Sequence, residues 1–194
     1  MTTVAERSSL NLPNMLTVGR LLAVPVLALL LIRDDGSAGS GVLLAAVYVG
    51  ACLTDLMDGH VARLRDQVTD FGIMADPIAD KALVGTALIG LSLLGELPWW
   101  ATAVILGREL AVTMLRMAVR RHGLIPASRG GKLKSLTQNV AVTMYLLPLS
   151  GLLADLRLPV LLAAVAATLV TGVDYAVQAA RMRAEASRPE RLDT

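Results

Sequence analysis

An all-α membrane protein with six spanning helices is the fold class this sequence predicts, and three observations predict it. Of its 194 residues, 55% are hydrophobic, and the mean hydropathy is +0.61. A soluble domain of this length does not carry so much apolar surface in long unbroken runs. The runs are each near the ~20 residues that cross a hydrocarbon core. Short breaks containing Gly, Pro or charge separate them, and Lys and Arg gather on alternate breaks.

Taken in order, Met1 to Leu12 is polar and reads as a cytoplasmic tail, with no cleavable leader expected. Leu16 to Ile32 is the first span, interrupted only by Gly19, Arg20 and Pro25, and it stops at Arg33-Asp34-Asp35-Gly36-Ser37. Gly41 opens a second helix that reaches about Arg65. A third starts near Thr69 and continues to Leu94. Gly95-Glu96-Leu97-Pro98 carries turn residues. The fourth runs from Trp99 to about Arg121, and His122 to Gly131 is a loop. The fifth covers Lys132 to Leu153 and the sixth Pro159 to about Ala180. No internal repeat is visible. The whole chain, 1–194, reads as one integral membrane domain, with 1–12 and 181–194 as tails.

The positive-inside rule orients it. With the N-terminus inside, the inner segments hold Arg7, Arg63, Arg65, Arg120, Arg121, Arg129, Lys132, Lys134, Arg181, Arg183, Arg188 and Arg191. The outer loops hold only Arg33 and Arg157. Both termini are therefore expected in the cytoplasm, the protein being multi-pass in the cell membrane. Trp99 and Trp100 fall at the outer boundary, where aromatic belts form. The formal charge of +2 gives no footprint for a nucleic-acid partner. One cysteine, Cys52, excludes an intramolecular disulfide.

The polar exception is Asp55 to Asp80: Asp55-x-x-Asp58-Gly59-x-x-Ala62-Arg63, eight residues, then Gly72-x-x-x-Asp76-x-x-x-Asp80. Carboxylates are costly at membrane depth and persist there for function. Spacings of three and four put each pair on one helix face. A reversal at Arg65-Asp66-Gln67 would bring all four together at the inner ends of the second and third helices. Clustered carboxylates repel unless neutralised. All-oxygen ligation, without Cys or paired His, points to Mg2+ or Mn2+ rather than zinc. A solvated helix end is the plainer account of any single aspartate, but not of four spaced carboxylates with two glycines.

D-x-x-D-G-x-x-A-R-(x)8-G-x-x-x-D-x-x-x-D resembles the signature of the CDP-alcohol phosphotransferases, integral membrane enzymes of phospholipid synthesis, at every position. The resemblance implies that Asp55, Asp58, Asp76 and Asp80 bind the metals, two ions being expected, and that Asp80 is also the general base. It implies CDP-diacylglycerol as donor, with nucleotide contacts at Gly59, Arg63 and Thr69. The opening Asn11-Leu12-Pro13-Asn14-Met15-Leu16-Thr17 resembles the family's first helix, placing Asn14 and Thr17 beside the same pocket. The family also implies a homodimer. Pro77 within the third helix is read either as a kink at the site or as a tolerated membrane proline.

The acceptor is read from the basic residues. Arg108, in Gly107-Arg108-Glu109-Leu110, lies about halfway along the fourth helix, and Arg116 is eight residues on, on roughly the same face. With Lys132 and Lys134 they suit a soluble acceptor that bears a phosphate. For Arg108 an internal ion pair with Glu109 stands as the plainer account, and for the lysines inner-face anchoring does. A narrower likeness, covering Asn11 to about Leu147, points to the branch of the family that uses sn-glycerol 3-phosphate; the last helix adds little to it. Members using phosphatidylglycerol or inositol phosphate are the near alternatives. A divalent-cation transporter is the alternative from another class, although its sites usually lie near the midplane between repeated halves.

Overall fold

The computed structural model describes the backbone of residues 12–65, 70–119 and 129–186, and side chains over 15–54, 75–118 and 130–182. The described residues contain no strand. Six long helices and one single turn are present: α1 (Leu12–Ile32), α2 (Ala38–Arg65), α3 (Asp70–Leu93), α4 (Trp99–Val119), α5 (Arg129–Leu146), α6 (Leu152–Asp155) and α7 (Arg157–Ala186).

Local chemistry explains most of the boundaries. The backbone N–H of Ser40 donates to Ser37 Oγ at 3.2 Å, so Ser37 is the N-cap of α2 and the helix starts three residues before Gly41. In the loop before it, the Ser37 amide donates to Asp35 Oδ1 at 2.9 Å. That bond, with the Ser37 and Ser40 hydroxyls, holds the exposed Asp35 carboxyl below the ordinary carboxylate range. The third helix ends in a Schellman closure. Glu96 N–H reaches Leu91 C=O at 3.0 Å, Gly95 N–H reaches Ser92 C=O at 3.2 Å, and Gly95 takes φ 78°.

The fifth helix is shorter than the sequence predicts. It stops at Leu146, not Leu153, because Pro148 disfavours helical backbone at Leu147 and has no N–H to continue the ladder. The residues beyond it form the separate turn α6. Pro159 does not delay α7, which begins at Arg157, because a proline in the first turn has no intrahelical bond to lose.

The helices gather into two compact units. One comprises Met1–Leu97 with Val142–Ser150, the other Pro98–Ala141 with Gly151–Thr194, so α5 is shared between them. In the first unit α1 packs against both α2 and α3. Leu27 and Leu31 of α1, Leu44 and Tyr48 of α2, and Leu83 and Leu88 of α3 are buried there. Gly90 lets α3 close on α1: a Cβ at that position would come within 2.5 Å of Leu31 Cδ1. In the second unit α4 packs against α7, burying Ala101, Ile105, Leu161, Ala164 and Val165.

Large apolar side chains such as Leu22, Val42, Leu93, Leu110, Leu133 and Val170 point outward on the long helices. Water-exposed monomers rarely present so much apolar surface, whereas lipid accepts it. Among the described residues, Met15–Ile32 and Leu152–Met182 are long and apolar enough to cross a membrane, and the apolar part of α2, Ala38–Thr54, is shorter. The other helices are less apolar because they carry the charges of the candidate site: Asp76, Asp80 and Lys81 on α3, Arg108, Glu109 and Arg116 on α4, Lys132 and Lys134 on α5.

Candidate active site: an acidic cluster and a basic cluster

Each unit contains one cluster of charged side chains. In the first unit, Asp76 and Asp80 lie one turn apart on α3, on one face of the helix. Both are part-buried. α3 runs through Pro77 as one continuous helix. Asp55, Asp58, Gly59 and Arg63 are on α2, and Asn14 is in the first turn of α1, but their side chains lie outside the described residues, as does Thr69 altogether. Among the described residues no three His, Cys, Asp or Glu side chains gather to hold a metal, the two described signature aspartates being Asp76 and Asp80.

Asp76 is held from behind by α1. Thr17 Oγ1 donates to Asp76 Oδ1 at 2.6 Å. Arg20 Nη1 lies 3.8 Å from the same oxygen, and the Arg20 side chain is 0% exposed against 38% for Asp76. Thr17 and Arg20 are three apart on α1, so one helix face delivers both. A fully buried guanidinium in an apolar bundle needs a carboxylate nearby, and among the described residues Asp76 lies within reach. Both contacts fall on Oδ1. A part-exposed carboxylate anchored through one oxygen fits a hard divalent cation, whose ligating carboxylates are normally hydrogen-bonded in turn.

The sequence gives Thr17 and Arg20 unequal notice. Thr17 is expected beside the nucleotide pocket; the structure finds it buried, its hydroxyl committed to Asp76. Arg20 is noted only as an interruption of the first span. A basic residue in the middle of an apolar run was the available signal for it.

In the second unit, Glu109 ties two cations together. Its Oε1 accepts from Arg108 Nη1 at 2.8 Å and from Lys134 Nζ at 2.5 Å. The ion pair between Arg108 and Glu109 is therefore present, and Lys134 joins it from α5 although it is 25 residues away in sequence. Lys134 is buried, while Lys132 is exposed and stands outside this network. Arg116 is exposed on α4, and its guanidinium turns onto α7: Nη2 donates to the Tyr175 hydroxyl at 2.5 Å, and Cζ lies 4.5 Å from the ring centre. Arg108 also leans on α7, with Nη2 donating to Thr171 Oγ1 at 2.7 Å. Arg108 and Lys134 thus share the Glu109 carboxylate while Arg116 meets a hydroxyl and a ring, so among these described groups three cations stand against one carboxylate. Such a cluster binds anions, and phosphate above all, because guanidinium forks match phosphate oxygens.

Comparison with known proteins places the chain in a family. The family model for CDP-alcohol phosphatidyltransferase matches residues 10–186. A Mycobacterium tuberculosis (strain H37Rv) protein named "Probable phosphatidylglycerophosphate synthase" is 52% identical over 172 residues, covering 88% of this chain and 82% of that protein. The Bacillus subtilis (strain 168) CDP-diacylglycerol–glycerol-3-phosphate 3-phosphatidyltransferase is 35% identical over 182 residues, covering 85% of this chain and 93% of that protein. The enzyme of the same name from Rickettsia typhi is 39% identical over 143 residues, covering 73% of this chain and 79% of that protein.

Proposed function

The chain belongs to the CDP-alcohol phosphatidyltransferase family, and from that premise we propose that it transfers the phosphatidyl group of CDP-diacylglycerol to sn-glycerol 3-phosphate, giving phosphatidylglycerophosphate and CMP. The observation that carries the choice of acceptor is the basic cluster. Arg108 and Lys134 on the carboxylate of Glu109, with Arg116 on the Tyr175 hydroxyl, leave charge to be balanced by a dianion. A phosphomonoester supplies it; phosphatidylglycerol, a phosphodiester, supplies less. Family membership also removes the cation-transporter alternative.

Asp55, Asp58, Asp76 and Asp80 would hold the divalent cations, Mg2+ or Mn2+, two being expected. When bound, these ions draw negative charge from the phosphate under attack and from the departing CMP. Asp80 takes the proton from the acceptor hydroxyl, whose oxygen forms a bond to the β-phosphorus as the bond from that phosphorus to CMP breaks. Gly59 and Arg63 meet the diphosphate and cytidine with Thr69, and Asn14 borders the same pocket. Thr17 serves through Asp76. Lys132, exposed beside Lys134, adds to the positive approach for the acceptor. The protein crosses the cell membrane several times with both termini in the cytoplasm, so the lipid donor enters from the bilayer and the soluble acceptor from the cytosol. It works as a homodimer.

The test is purified protein with CDP-diacylglycerol and four acceptors: glycerol 3-phosphate, glycerol, inositol phosphate and phosphatidylglycerol. CMP and lipid product, measured together, are expected in equal amounts with glycerol 3-phosphate and at background with the others. Preference for inositol phosphate or phosphatidylglycerol would overturn the acceptor assignment. Two substitutions probe the clusters separately. Arg116→Ala is expected to raise KM for glycerol 3-phosphate about tenfold or more, the loss of a charged hydrogen-bond donor, with KM for CDP-diacylglycerol nearly unchanged. Equal rises in both would remove Arg116 from the acceptor site. Thr17→Val is expected to raise the Mg2+ concentration for half-maximal activity about tenfold, as loss of an outer-shell partner does. An unchanged Mg2+ requirement would show that the Thr17 hydroxyl does not position Asp76.

A further inference from the structure

Both arginines of the basic cluster rest on the same short stretch of α7, which the sequence alone gave no reason to single out. Thr171 Oγ1 accepts from Arg108 Nη2 at 2.7 Å. Tyr175, one turn on and 3% exposed, accepts from Arg116 Nη2 through its hydroxyl at 2.5 Å. The Tyr175 ring lies under both guanidinium groups, with Arg116 Cζ 4.5 Å and Arg108 Cζ 5.8 Å from its centre. Between the two residues, Gly172 makes the space for the Arg108 stem: a Cβ there would come within 3.1 Å of Arg108 Cγ and 3.3 Å of its Nε.

We propose that Thr171, Gly172 and Tyr175 are positioning residues that set the place of Arg108 and Arg116 and thereby the affinity for the phosphate of the acceptor. The physical case is one of preorganisation. A long arginine side chain loses much rotamer freedom when it grips an anion, and affinity rises when that loss precedes binding. Here a hydroxyl acceptor and an aromatic face steady each guanidinium without adding negative charge beyond the Glu109 carboxylate that Arg108 already meets. A carboxylate in their place would fix the arginines equally well but would cancel the charge a phosphate needs. The aromatic face also attracts each cation through its ring quadrupole, most strongly where water is scarce. Thr171 is itself held, its Oγ1 donating to the Ala167 carbonyl at 2.7 Å, so the Arg108 donor meets an oxygen of fixed direction. The Tyr175 position is likewise fixed by burial within the α4–α7 interface.

This inference rests on the reading of Arg108 and Arg116 as acceptor-phosphate residues, and the experiment separates the two. Tyr175→Phe keeps the ring and removes only the hydroxyl. It is expected to raise KM for glycerol 3-phosphate about tenfold, as loss of a hydrogen bond to a charged group does, while kcat and KM for CDP-diacylglycerol stay within about twofold. Thr171→Val is expected to act in the same direction through Arg108, and Thr171→Ser to restore the wild-type value. Gly172→Ala is expected to raise the same KM by displacing the Arg108 stem. Equilibrium binding of glycerol 3-phosphate in the absence of donor gives a second readout, expected to weaken by the same factor. A merely structural role would lower the amount of folded enzyme or raise both Michaelis constants together, without this split. Should Tyr175→Phe not fold, the Thr171→Val and Thr171→Ser pair decides the matter. Wild-type acceptor KM in Tyr175→Phe and Thr171→Val, with a raised value in Arg116→Ala, would overturn the positioning role alone. A wild-type acceptor KM in Arg116→Ala would overturn the underlying assignment of the site.

Discussion

Asp80→Asn is expected to reduce CMP release by about 10³-fold while CDP-diacylglycerol still binds, the range in which loss of a positioned general base falls. The substitution is nearly isosteric, so α3 keeps its packing around the buried Ala79 and Leu83. The amide cannot take a proton from the acceptor hydroxyl, and it is a poorer cation ligand. Single-turnover measurement of CMP, with donor binding followed separately, distinguishes loss of chemistry from loss of substrate. Turnover near the wild-type rate would contradict the assignment of Asp80 as base.

Removal of divalent cations is expected to have an effect at least as large. Carboxylates clustered near a membrane surface repel one another unless neutralised, and the diphosphate of the donor adds further negative charge. Treatment with chelator should lower turnover by about 10³-fold or more, since metal ions contribute several kcal/mol of charge stabilisation in such reactions. Mg2+ or Mn2+ added back should restore it. Zn2+ should serve less well, because the four signature aspartates offer oxygen donors and the stretch holds no Cys and no paired His. Turnover that survives chelation would contradict metal dependence.

The helical architecture was legible in the sequence because it is written in local punctuation. Gly95-Glu96-Leu97-Pro98 reads as a turn from residue type alone, and the backbone there closes α3 as such residues do. The end of the fifth helix was less legible: apolar residues continue through Leu153, and hydropathy hides the break that Pro148 imposes. The acidic signature is similarly local, its spacing visible without coordinates. What the sequence hides is pairing between helices. Thr17 with Asp76, and Arg116 with Tyr175, are each separated by 59 residues, and Arg108 with Thr171 by 63. No spacing rule within one helix reports such pairs. Arg20 and Tyr175 are polar residues buried in apolar helices, which is a signal of importance but names no partner. The choice between an ion pair and a phosphate ligand for Arg108 also needed coordinates. Its guanidinium contacts Glu109 through one nitrogen and Thr171 through another, and Lys134 shares the carboxylate, so the ion pair is itself part of a cationic cluster.

The account depends on α2 and α3 presenting their aspartates to a shared pair of cations, and counting bound ions tests this most directly. Equilibrium titration of the cation-free protein with Mn2+, followed by electron paramagnetic resonance, should find two ions per chain. Asp58→Asn and Asp76→Asn, one on each helix, should each weaken that binding. Two ions bound with unchanged affinity in both variants, or turnover by a protein that binds none, would contradict it.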